Sequence, residues 1–71
     1  MYKGKISYVA SNERGFGFIA IPGREKQLFF HARELKGVSF ADLTIDDEVT
    51  IEKIGHHDEK GDFAVGVSLA Y

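Results

Sequence analysis

The sequence predicts an all-β chain folded as a small five-stranded antiparallel β-barrel. Apolar residues recur with the period of two that marks half-buried strands over five short runs. Turn-forming clusters separate those runs at Ser11-Asn12-Glu13, Pro22-Gly23 and residues 55–61. Five short strands in 71 residues cannot leave long apolar edges open without inviting aggregation, and closure into a barrel removes the problem. A two-sheet sandwich usually wants more strands, about seven. The expected architecture is therefore a five-stranded, partly open barrel, with residues 1–71 as one domain.

The first strand covers residues 3–10, where Ile6, Tyr8 and Ala10 alternate with Ser7 and Val9. The second, residues 15–21, ends at the only proline, Pro22, followed by Gly23. After the charged loop Arg24-Glu25-Lys26, residues 27–31 form a short third strand. Residues 32–36 have helical propensity but are too few for more than a turn or two. Residues 38–46 are irregular, anchored by Phe40 and Leu43, and residues 48–54 form the fourth strand. A polar hairpin loop at 55–61 leads into the last strand. There Phe63, Val65, Val67 and Leu69 share one face, and Ala64, Gly66, Ser68 and Ala70 the other.

Composition narrows the class of protein. No cysteine is present, so neither a disulfide nor a thiolate metal site supports the fold. No apolar stretch approaches the roughly 18 residues of a membrane span. The N-terminus, Met1-Tyr2-Lys3-Gly4-Lys5, lacks the apolar segment of a signal peptide. A soluble cytoplasmic protein, monomeric by default and independent of membranes, is the expectation. Net charge is −2, but unevenly spread: residues 1–37 carry +4 and residues 38–71 carry −6. Because salt screens exposed charges beyond about 8–10 Å, a ligand on the first half feels mostly local positive charge. Strong sequence-independent binding to duplex DNA is not expected, since that needs many phosphate contacts.

Parity along the strands assigns the faces. Ile6, Ile19, Ile21, Leu28, Phe30, Val49, Ile51, Val65, Val67 and Leu69 make the natural core. With Ile19 inward, Phe16 and Phe18 point outward. With Leu28 and Phe30 inward, Phe29 and His31 point outward. If the second and third strands pair, four flat rings stand on one sheet surface, the kind of platform on which single-stranded nucleic acid stacks. The competing reading puts Phe16 and Phe18 in the core and makes the glycines markers of a bulge. In the functional reading, Gly15 and Gly17 let a base or backbone approach closely. Tyr8 stays ambiguous: it points inward with Ile6 unless a bulge intervenes.

Gly4-Lys5-Ile6-Ser7-Tyr8, Arg14-Gly15-Phe16-Gly17-Phe18-Ile19 and Leu28-Phe29-Phe30-His31 resemble the cold-shock domain family, whose fold is a five-stranded OB-fold barrel. The likeness continues through Ser39-Phe40-Ala41-Asp42-Leu43, Val49-Thr50-Ile51 and Lys60-Gly61 and covers nearly the whole chain. The resemblance implies binding of single-stranded RNA or DNA, an RNA-chaperone-like action and a modest preference for pyrimidines. It implies stacking roles for Phe16, Phe18, Phe29 and His31, an outward Tyr8 where the family usually has Trp, and a further stacking ring at Phe40. It also places Arg14 at a basic position beside the glycines and makes Lys5 a backbone contact. Neither a cofactor nor a metal is implied.

Three stretches depart from the family. The first strand, typically Lys-Trp-Phe there, reads Ser7-Tyr8-Val9 here; the residue after His31 is Ala32 rather than an aromatic; and the Ser11-Asn12-Glu13 turn is one residue longer. Each base stacked on an aromatic is worth about 1–3 kcal/mol, so weaker or differently selective binding is expected.

Other chemistry fits less well. His56-His57-Asp58-Glu59 reads as a solvated hairpin tip rather than a metal site, and no Ser or Cys stands where His31 would activate it, so no enzyme is expected. The alternative to a nucleic-acid binder is a protein-interaction domain that keeps the OB-fold and docks through its aromatic patch or acidic half.

Overall fold

The computed structural model describes residues 1–10, 15–59 and 61–70. Five strands, β1 (Tyr2–Val9), β2 (Phe16–Ala20), β3 (Leu28–His31), β4 (Glu48–His57) and β5 (Gly61–Leu69), are joined with 3-10 turns at Ala32–Glu34 and Phe40–Asp42. They follow one another around a barrel in the order β1-β2-β3-β5-β4, and β4 pairs back onto β1. This is an all-β, OB-fold-type barrel. Among the described residues no helix is long and apolar enough to cross a membrane.

Two expectations are corrected here. The barrel is closed rather than partly open. It is also not antiparallel throughout: β3 and β5 run parallel, paired through Phe29 and Phe63, with a second parallel bridge from Leu35 to Val67. An odd number of strands explains this, because direction cannot alternate all the way around a closed ring of five. The parallel strand pairing falls where β5 meets β3 after the chain has crossed from β3 to β4.

Ile6, Ile19, Leu28, Phe30, Val49, Ile51 and Val67 are fully buried and, with Leu43 and Ala64, make one core cluster. Ile21 and Leu69 pack against it partly buried. A buried side chain of this size contributes about 1.5–3 kcal/mol, so this cluster dominates the stability of so small a barrel.

The alternation expected for β5 holds for Val67 and Leu69 and fails for Phe63 and Val65. Ala64 is buried instead, and Val65 does not join the cluster. The cause is Gly66, whose φ of +69° is closed to most L side chains. The β4–β5 register is the same on both sides of it, from Ile51↔Val67 to Ile54↔Ala64. The inward face nevertheless passes from Ile51 and Val67 to Ile54 and Ala64. Both strands thus turn over where Glu52 faces Gly66, and a Cβ on Gly66 would meet the Glu52 carboxyl carbon at 2.7 Å.

The hairpin loop is also shorter than expected. β4 continues through His57, which pairs with Gly61, so residues 55–57 are strand rather than loop. Gly55 permits this, since a Cβ there would stand 2.9 Å or less from carbons of the Phe63 ring.

Candidate nucleic-acid interface

A bulge in β1 decides the direction of Tyr8. Ile6 pairs with Ile19, but Tyr8 pairs with Phe18, so β1 spends one extra residue, Ser7, between them. An inserted residue reverses the parity of everything after it. Ile6 is therefore buried while Tyr8 is 48% exposed, on the same face as Phe18.

Across β2 and β3 the register is Phe16↔His31 and Phe18↔Phe29, which puts those four side chains on one face. With Tyr8 they form a continuous patch. Phe16 and Phe29 are stacked, with centroids 5.6 Å apart and planes 26° from parallel. Phe18 meets Phe29 at 6.0 Å and 73°, and Phe16 at 6.2 Å and 90°. Tyr8 lies 6.4 Å from Phe16 and 6.0 Å from Phe18. All of these rings are half-buried or exposed, so their faces meet solvent. His31 Nδ1 accepts the Arg33 backbone N–H at 3.2 Å. That bond leaves the proton of the neutral ring on Nε2 and keeps a donor available at the far edge.

Gly17, between the rings of Phe16 and Phe18, faces the core. Gly17 is buried, and a Cβ there would stand 2.8 Å from Phe30 Cε1. Its inward side is filled by Phe30, so the expected close approach of a base at Gly17 is corrected. Gly15, at φ +62°, turns the chain into β2 and accepts the Ala32 N–H at 2.7 Å.

Lys5 is exposed and pairs with Ala20, the next outward position beyond Phe18, so it flanks the patch. Phe40 lies elsewhere. Its ring is 6.4 Å from Phe30, and it packs half-buried against the core instead of joining the other rings. Val9 also packs against the core and takes no part in this patch. The Ser7 hydroxyl sits 2.9 Å from Gln27 Oε1 and 3.2 Å from the Phe18 carbonyl, turned onto the protein itself. Arg14 and the Ser11-Asn12-Glu13 turn lie outside the described residues.

Two cations of the basic half are already paired. Lys36 Nζ is 3.0 Å from both carboxylate oxygens of Glu52. Arg24 bonds Asp62, which also bonds His56 Nδ1 at 2.8 Å. The hydrogen bond from His56 and then the charge of Arg24 hold the Asp62 carboxyl below its ordinary pKa. His56 and His57 are neighbours on a strand and so point to opposite faces. Among the described residues no group of three His, Asp or Glu side chains is arranged to hold a metal ion.

One part of the surface escaped the sequence reading. Phe29 and His31 continue into an open groove of about 230 Å³, closed on its other side by Phe63 and His57 and rimmed by Arg33 and Glu34. Alternation along β5 expects Phe63 on the same face as Val67 and Leu69. The signal that places it outside is Gly66, since a glycine in a strand interior marks a point where alternation breaks.

No curated protein matches the chain. The profile of the 'Cold-shock' DNA-binding domain matches residues 3–70, nearly the full length. With the closed five-stranded barrel and its ring-bearing face, that match places the chain in the cold-shock domain family, a family of nucleic-acid-binding domains.

Proposed function

We propose that this chain binds single-stranded RNA or DNA by stacking successive bases on Tyr8, Phe16, Phe18, Phe29 and His31, and that it acts as an RNA chaperone. The observation that carries this reading is the contiguous patch of rings across β1, β2 and β3, with Phe16 and Phe29 at its centre. A solvent-facing apolar patch of this kind is costly without a partner, and the flat faces of bases match it. Lys5 supplies a cation at one edge for the phosphate backbone. No bond is made or broken; the chain is a binding module rather than an enzyme.

Magnitudes define the task. A base stacked on a ring is worth about 1–3 kcal/mol, and a base-pair step in a duplex about 1.4 kcal/mol. Three or four stacked bases therefore offset about as many base-pair steps. Weak hairpins are opened and long duplexes are not. Ser7 and Ala32 replace a lysine and a ring of the family's usual surface, which supports weaker binding than is typical of it.

The test is fluorescence titration at low salt with seven-nucleotide oligo-dT, oligo-U and oligo-A, on the native chain and on Phe16→Ala and Phe29→Ala. Binding that is lost in folded variants supports the platform. Undiminished binding in both variants moves the site elsewhere on the barrel.

A further inference from the structure

We propose that the groove between β3 and β5 is a base-selecting subsite, which takes a nucleobase carrying an exocyclic amine (cytosine, adenine or guanine) in preference to uracil or thymine, and that Glu34 makes the selection. The inference rests on the stacking reading above and extends it from affinity to sequence choice.

The groove is continuous with the ring patch. Phe29 and Phe63 are partners across the parallel β3–β5 bridge, so both side chains lie on the outer face. A strand lying along the patch past Phe29 and His31 meets Phe63 next. At about 230 Å³ the groove is smaller than a typical drug-sized site of about 300–1,000 Å³, and it suits one flat ring. Phe63 and Phe29 supply apolar walls for a base, and Arg33 on the rim supplies a cation for its phosphate.

Glu34 is the unusual member. A carboxylate beside a nucleic-acid strand repels the phosphates unless it accepts a hydrogen bond from the ligand. Its position is fixed by the Gly66 backbone N–H, which donates to Oε1 at 3.3 Å. Among the described residues Oε2 has no hydrogen-bond partner, and the carboxylate rims the groove. An ionised carboxylate only accepts. Cytosine N4 and adenine N6 present amine donors to it where thymine and uracil present O4, and guanine presents its N2 amine from the opposite side of its ring. Glu34 thus favours the amine-bearing bases and disfavours thymine and uracil, and Gly66 both turns Phe63 outward and holds the carboxylate.

The experiment uses fluorescence anisotropy with dT7 and with dT7 carrying one dC, dA or dG at each position in turn. One position is expected to show at least about fivefold tighter binding for an amine-bearing base than for thymine, the low end for a base-edge contact because the groove is open to water. Glu34→Gln keeps the acceptor for Gly66 but adds a donor that serves O4, so this preference collapses while dT7 binds as well or better. Flat affinities across the series, with dT7 still bound, overturn the inference, as does a preference that survives in Glu34→Gln. If dT7 and every substituted strand fail to bind, the stacking reading itself falls and takes this one with it. Phe63→Leu, milder than removal of the side chain, provides a second check: it lowers affinity for dT7 and for the preferred strand alike while the preference set by Glu34 persists, and undiminished affinity for both places the base outside the groove.

Discussion

The rings of Phe16 and Phe29 lie on adjacent strands, 5.6 Å apart and 26° from parallel, at the centre of the barrel's outward aromatic face. Each also contacts Phe18 edge-on. On the stacking proposed above, a base laid over this pair would touch both rings. Phe16→Ala or Phe29→Ala is therefore expected to weaken binding of short single strands by about 1–3 kcal/mol. The double variant should lose less than the sum, because the two rings share contacts. Titration of the three variants against the same oligonucleotide checks both points.

Lys5 stands one outward ladder position beyond Phe18. If it contacts a single phosphate, Lys5→Ala reduces the slope of log K against log salt by about 0.7 for a single strand. Binding measured from low to moderate salt gives the slope directly. An unchanged slope removes Lys5 from the interface.

Gly17 faces the core and Phe30, so Gly17→Ala is expected to cost stability, by about 1–3 kcal/mol for an overpacked core. Urea denaturation measures this. Intact stability with lost binding would instead return Gly17 to the ligand face.

Gly66→Ala places a Cβ against Glu52 at a positive φ, which costs about 1–3 kcal/mol in backbone strain alone. It also disturbs the turnover that sends Phe63 outward. The expected result is a lower thermal midpoint, and NMR shifts that spread from residue 66 to Phe63 and Glu34. A change confined to the two neighbours of residue 66 would speak against the coupling.

Asp62 contributes an acid-dependent element of stability. Its carboxyl is held below its ordinary value of 3.8 by the His56 hydrogen bond and by Arg24. A carboxylate with a lowered folded-state pKa stabilises the fold above the unfolded value, and that contribution disappears as pH falls through the folded one. Stability should therefore decline below about pH 4, and the difference between the native chain and Asp62→Ala should shrink toward zero at lower pH. Thermal midpoints of both across pH 2–7, about the range of carboxylate titration, test this. A difference that stays constant would mean that Asp62 acts through something other than its charge.

Most of the fold was legible because it rests on local alternation. Ile19, Leu28 and Phe30 each imply an outward neighbour, and Phe16, Phe18, Phe29 and His31 lie outward as that parity requires. Local pattern could not show where alternation breaks. Parity alone leaves Tyr8 open, which the bulge at Ser7 decides, and it puts Phe63 with Val67, which the turnover at Gly66 reverses. Phe40 reads as an aromatic in a loop, and only its packing against Phe30 shows where its ring goes.

The sequence by itself determined five strands, the inward residues of β2 and β3 and a row of outward rings, because side-chain period and turn chemistry are local properties. The tertiary structure alone decided the closure of the barrel, the parallel meeting of β3 with β5, the bulge that turns Tyr8 outward, and the groove that brings Phe63 and Glu34 beside Phe29. Those depend on one inserted residue, one positive φ and the odd number of strands in a closed ring, and each takes effect only when distant segments pair.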